Sequence, residues 1–148
     1  MFRLPHRFDP DGLDNRSAAH IERLLGAIDW FRRYHRASVR GLERVPDGAA
    51  LVVGNHSGAS LSIDTFILAL AWLEARGAAD LPYGLAHDVV MRLPGFNQFL
   101  APLGVLRASP TNAARLFDAG RKVMVYPGGD IESMRPFAAR DEVTFGGR

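Results

Sequence analysis

The chain has 148 residues, 47% of them apolar and 23% charged, a balance that suits one domain with a single buried core and excludes wholesale disorder. It contains no cysteine, which rules out disulfides, thiolate metal sites and cysteine nucleophiles together. The formal charge is only +2, yet every basic residue except Lys122 is arginine; no nucleic-acid-binding motif accompanies them, so the functional reading is attraction to an anionic membrane surface or a phosphate-bearing ligand, against the plain one of a solvated helix face.

Residues 1–36 read as an N-terminal arm and an amphipathic helix, and residues 37–148 as an α/β domain. The arm, to about residue 13, is irregular. Between Asn15 and His35 apolar residues recur at helical spacing (Ile21, Leu24, Leu25, Ile28, Phe31), with arginine on much of the opposite side. Such a helix either packs on the core or lies at a membrane interface, with Trp30, Tyr34 and the arginines at headgroup level. No stretch reaches the roughly 20 apolar residues that span a bilayer. The N-terminus lacks the apolar core of a secretory signal. A cytoplasmic protein resting on the inner face of the membrane is the expectation.

Residues 37–42 are read as a short strand closed by the turn-like VPDG at 45–48, and residues 49–53 (AALVV) as a strand covered on both faces. A helix is expected from about Ser62 to Ala75, ending near Gly77. Residues 83–86 form another strand, and 88–101 one or two short helical pieces broken at Pro94-Gly95. A strand near Val105 and Leu106 precedes a helix with Ser109 as its cap, Pro110 in its first position and Gly120 at its end. Residues 122–126 (KVMVY) are the clearest strand. Strands alternating with helices indicate an α/β fold with a mostly parallel sheet flanked by helices.

The chemistry concentrates in two glycine-containing turns. NHSGASLSID, residues 55–64, follows the strand at 49–53, and Pro127-Gly128-Gly129 follows the one at 122–126. In a parallel sheet both turns open on one edge, where ligands of α/β folds bind. Neutral His56 can remove a proton from a hydroxyl, and Asp64, early in a helix where negative charge is favoured, can accept its other ring N–H. This is a serine-type triad whose nucleophile is the substrate's own alcohol. Ser57, Ser60 and Ser62 are alternative nucleophiles, but no GxSxG elbow exists. The five histidines lack metal-ligand spacing, so neither metal nor cofactor is expected.

NHSGASLSID, LGVLRAS and VMVYPGGDIESMRPF, in that order, resemble three blocks of the glycerolipid acyltransferase superfamily, which includes the lysophosphatidate and glycerol-phosphate acyltransferases. They are most similar to its diacylglycerol acyltransferase-like and bacterial phospholipid acyltransferase-like branch. The resemblance covers about residues 34–148 and implies the glycerol-phosphate acyltransferase-like version of the α/β fold. It implies catalytic roles for His56 and Asp64, with Asn55, Ser57 and Gly58 beside them, and assigns Gly104 and Arg107 to the acceptor's phosphate or glycerol portion. The third block is usually Phe-Pro-Glu-Gly; here it reads Tyr126-Pro127-Gly128-Gly129, and Glu132 and Arg135 are the polar residues placed to act instead. The implied reaction is acyl transfer from acyl-CoA or acyl-carrier protein to a glycerolipid or lysophospholipid hydroxyl, at a membrane surface and without nucleic acid. The alternative is a non-catalytic lipid-binding module of the same fold. Two departures stand out: seven residues rather than the commoner four separate His56 from Asp64, and members normally continue past FGGR. A C-terminally incomplete domain, with part of the acyl pocket lacking, is therefore expected.

Overall fold

The computed structural model describes residues 7–55, 63–129, 134, 136–139 and 142. Among them four short strands form one sheet: β1 (Leu51–Val53), β2 (Tyr83–Ala86), β3 (Val105–Arg107) and β4 (Val123–Val125). Their order is β1-β4-β2-β3, and every pairing is parallel. A tight hairpin cannot join parallel neighbours, so helices make the crossings. Helix α1 (Ala18–Tyr34) precedes the sheet, α2 (Ile63–Arg76) follows β1, α3 (Asp88–Arg92) and α4 (Phe96–Leu100) follow β2, and α5 (Pro110–Asp118) follows β3. The α/β class and the parallel sheet are as the alternating pattern implied.

Strand register sorts the core into two faces. Val52, Met124, Gly84 and Val105 lie side by side across the sheet. Val52 and Val105 on this face pack towards Ile21 and Leu25 of α1 and Leu70 and Trp72 of α2. On the other face, Tyr83, Leu106 and Val123 pack with Leu116 of α5. Full burial of a side chain such as Ile21 or Leu116 stabilises the fold by about 1.5–3 kcal/mol. The inner side of α1 is thus part of the core, while Trp30 and Tyr34 near its end are 57% and 75% exposed.

Two expectations fail. Strand β1 is not covered on both faces, because it lies at the sheet edge, and Leu51 and Val53 remain 56% and 52% exposed. Residues 37–42 form no strand. Gly41 takes a left-handed conformation (φ 89°), a 3-10 turn follows at Leu42–Arg44, and Leu42 packs against the α1/α2 core instead of pairing.

The amino-terminal ends of β2 and β4 are tied by charge. Buried Lys122 donates through Nζ to Asp80, which also accepts from Arg76 Nε (2.5 Å) and Trp72 Nε1 (3.1 Å). Burial pushes the Asp80 carboxyl upward, but hydrogen bonds from Arg76, Lys122 and Trp72 outweigh it and hold the group below its ordinary value. The arm at residues 7–12 folds back over the body. Phe8 N donates to Oδ1 of buried Asn97 (2.8 Å), Asn97 Nδ2 returns a bond to Phe8 O (3.1 Å), and Arg107 N donates to Pro10 O (2.9 Å).

Candidate active site at the carboxyl ends of β1 and β4

Since β1 and β4 are parallel neighbours, the chain leaves both at the same edge of the sheet. Gly54 N donates to Val125 O at 3.0 Å, which extends the pairing by one residue into the first turn. The Tyr126 ring lies against Gly54 so closely that a Cβ there would come within 2.5 Å of Tyr126 Cε1. Packing, not a special backbone angle, therefore demands glycine at this position. Asn55 follows, and its Oδ1 is buried without a hydrogen-bond partner among the described residues.

Asp64 is the second residue of α2. Its Oδ1 accepts the backbone N–H of Thr65 at 2.9 Å, one of the first-turn donors that a helix leaves without an internal partner. Thr65 Oγ1 in turn donates to the Tyr126 hydroxyl at 2.9 Å. Tyr126 titrates above its ordinary value, chiefly because the phenol is buried, with a further contribution from the nearby Asp64 charge. Gly129 N closes the second turn on Tyr126 O at 3.0 Å with Gly129 at φ 46°, and Gly128 is buried. Asp64, Asn55 and the Pro127-Gly128-Gly129 turn are thus gathered at one edge. His56, Ser57 and Gly58, like Glu132 and Arg135, lie outside the described residues.

The second block sits differently. Gly104 stands at the amino end of β3 with φ 88°, against Arg16 and Tyr83: a Cβ there would lie 3.1 Å from Arg16 Cδ and 3.3 Å from Tyr83 Cδ1. The Arg16 guanidinium covers the Tyr83 ring at 4.4 Å. Backbone conformation and crowding account for this glycine. Arg107 ends β3 at the carboxyl edge, and its guanidinium is engaged within the protein. Nε donates to Asp11 Oδ1 (3.0 Å), a second nitrogen pairs with Asp11 Oδ2, and Asp88 lies 3.5 Å away. Asn112 Nδ2 also donates to Asp11 (2.6 Å); this bond, followed by the Arg107 contacts, holds the Asp11 carboxyl below its ordinary value.

Sequence reading did not foresee the Tyr126–Thr65 bond or Asp11 as the partner of Arg107. For the first a signal existed, since a tyrosine ends the strand before the second turn. For the second none did, because 96 residues separate the pair. Among the described residues no group of three histidine, aspartate or glutamate side chains is placed to hold a metal ion, and no helix is long and apolar enough to cross a membrane.

Residues 36–141 match the family model described as Acyltransferase. Uncharacterized proteins of Mycobacterium tuberculosis and Mycobacterium bovis are each 37% identical over 101 residues, which is 68% of this chain and 28% of theirs. A Mus musculus protein described as "DGAT1/2-independent enzyme synthesizing storage lipids" is 24% identical over 101 residues, 68% of this chain and 30% of its own. The aligned part thus spans less than a third of these curated relatives. No solved structure matches the chain significantly. With a family match over 36–141 that takes in both turns of the parallel sheet, the chain belongs to the acyltransferase family.

Proposed function

We propose that this chain carries the catalytic site of an O-acyltransferase, moving a fatty acyl group from acyl-CoA or acyl-carrier protein to a glycerolipid or lysophospholipid hydroxyl. The observation that carries the reading is the adjacency of β1 and β4, which brings Asp64 and the Pro127–Gly129 turn to one edge within a family-matched fold. In the proposed step His56 takes the proton of the acceptor hydroxyl as that oxygen attacks the thioester carbonyl. Asp64 receives the other ring N–H and stabilises the imidazolium; the thiolate then leaves and recovers the proton. Gly129 N–H already closes its own turn, so the proposed oxyanion donors are the N–H groups of Gly58 and Gly128. Asn55 Oδ1, a buried acceptor, is suited to a substrate hydroxyl.

A neutral glycerolipid is the acceptor that the charges favour. Arg107 meets two carboxylates, so a phosphate would have to displace Asp11 to reach it. Glycine replaces the usual glutamate of the third block, and the mouse relative is described as synthesizing storage lipids. Glu132 and Arg135 are proposed to complete the acceptor site. Contact with the inner face of the membrane is proposed through exposed apolar side chains: Trp30 and Tyr34 on α1, and Val89, Leu93 and Phe96 around α3 and α4.

The test is radiolabelled acyl transfer by the full-length protein, from palmitoyl-CoA or palmitoyl-carrier protein to monoacylglycerol or lysophosphatidate in phospholipid vesicles. Labelled glycerolipid is expected, with more from monoacylglycerol. Vesicle binding without transfer points instead to the non-catalytic lipid-binding module. Labelling by a fluorophosphonate probe indicates a serine hydrolase.

A further inference from the structure

Tyr126 touches both ends of the segment that joins β1 to α2. Its ring packs on Gly54, one residue before Asn55, and its hydroxyl accepts from Thr65 Oγ1 at 2.9 Å. Thr65 is also the residue whose backbone N–H binds Asp64 Oδ1 at 2.9 Å. One side chain on β4's exit therefore fixes the turn entering the first block and the helical turn leaving it. The two contacts are chemically separable, because the ring makes one and the oxygen the other. Phenylalanine would satisfy the packing on Gly54 and serve as well if packing were the whole role. The partly buried hydroxyl instead lies in the field of the Asp64 carboxylate.

We propose that Tyr126 is a positioning residue for Asp64, the carboxylate assigned above to His56: through Thr65 its hydroxyl fixes the first turn of α2 and hence the direction of the Asp64 carboxylate. This rests on the acyl-transfer reading above. A carboxylate that keeps its orientation stabilises the imidazolium and raises the pH at which His56 loses its proton. One that drifts stabilises it less. A displacement of about 1 Å in a reacting group costs up to about a hundredfold in rate.

The experiment measures kcat, KM and the pH dependence of kcat/KM for acyl transfer from palmitoyl-CoA to monoacylglycerol by the full-length protein. Wild type is compared with Tyr126→Phe, Thr65→Val, Thr65→Ser and His56→Ala. Expected for Tyr126→Phe is a fall in kcat of about tenfold to a hundredfold, with KM for palmitoyl-CoA unchanged. The acidic limb of its pH profile should move to lower pH. Thr65→Val should reproduce both effects, Thr65→Ser should restore the wild-type profile, and the double variant Tyr126→Phe/Thr65→Val should be no worse than either alone. The Thr65 variants keep the test decisive if Tyr126→Phe does not fold. An unmoved acidic limb in Tyr126→Phe and Thr65→Val, with His56→Ala inactive, overturns the positioning role alone. Full activity in His56→Ala overturns the acyl-transfer reading beneath it.

Discussion

Gly54 and Asp11 show how single residues shape this edge of the sheet. Replacing Gly54 with alanine sets a methyl group 2.5 Å from Tyr126 Cε1, so ring or backbone must shift. Overpacking of this kind costs about 1–3 kcal/mol. Denaturant unfolding should register that loss, and acyl-transfer assays should show a concurrent fall in turnover. Asp11→Ala tests the proposed acceptor specificity: it removes the closer of the two carboxylates on the Arg107 guanidinium and opens it to contact with phosphate. Turnover of lysophosphatidate relative to monoacylglycerol should rise by about tenfold; an unchanged ratio separates Arg107 from the acceptor. Asp64 was legible in the sequence because an acidic residue at the start of an apolar helical run has few other places to sit. Tyr126 was signalled by its place before the second turn, but its partner Thr65, and Asp11, were not, since each acts through a residue that only the folded chain brings near.

Helix ends were the most legible elements, because a cap's chemistry is written in adjacent residues. Ser109 Oγ accepts from Asn112 N (3.1 Å), Pro110 opens α5, and Gly120 follows it at φ 68°, as the sequence implied. The end of α1 is different. Ala37 N bonds Arg32 O and Arg36 N bonds Arg33 O, a pattern that places Arg36 in the left-handed region (φ 50°) where glycine is usual. No glycine marks the stop, so the local pattern suggests a strand beginning at once. Arg36→Gly should relieve this strain and raise stability by about 0.5–1 kcal/mol, measured by thermal or denaturant unfolding. A loss of stability would show that the arginine side chain contributes more than its backbone costs.

Across the molecule, alternation of apolar runs revealed the α/β class, but neither the strand order nor the sheet edge is written locally. An apolar run such as residues 51–53 reads alike whether central or peripheral, and only the pairing of β4 between β1 and β2 exposes Leu51 and Val53. The ion pairs that tie distant parts together were equally hidden, and they govern behaviour in acid. Asp11 (through Asn112 and then Arg107), Asp29 (through Arg33 and Arg32) and Asp80 are all held below their ordinary values when folded. Their contribution to stability is therefore complete above the unfolded carboxylate value of about 3.9 and is lost as pH falls through the lower folded values. Acid unfolding should set in below about pH 4. Asp80→Asn strips buried Lys122 of its counter-charge and should cost about 3 kcal/mol at neutral pH. Its stability should also vary less with pH below about 4 than that of the wild type, as circular dichroism during acid titration would report.

The central claim is that His56 and Asp64 act as one unit on the acceptor hydroxyl, and a double-mutant cycle tests it most directly. Single-turnover acyl transfer from palmitoyl-CoA would be measured for wild type, His56→Ala, Asp64→Ala and the double variant. Loss of the base should cost about a hundredfold to ten-thousandfold, and the double variant should be no slower than His56→Ala alone. Independent losses that multiply, or a His56→Ala protein as fast as wild type, would contradict it.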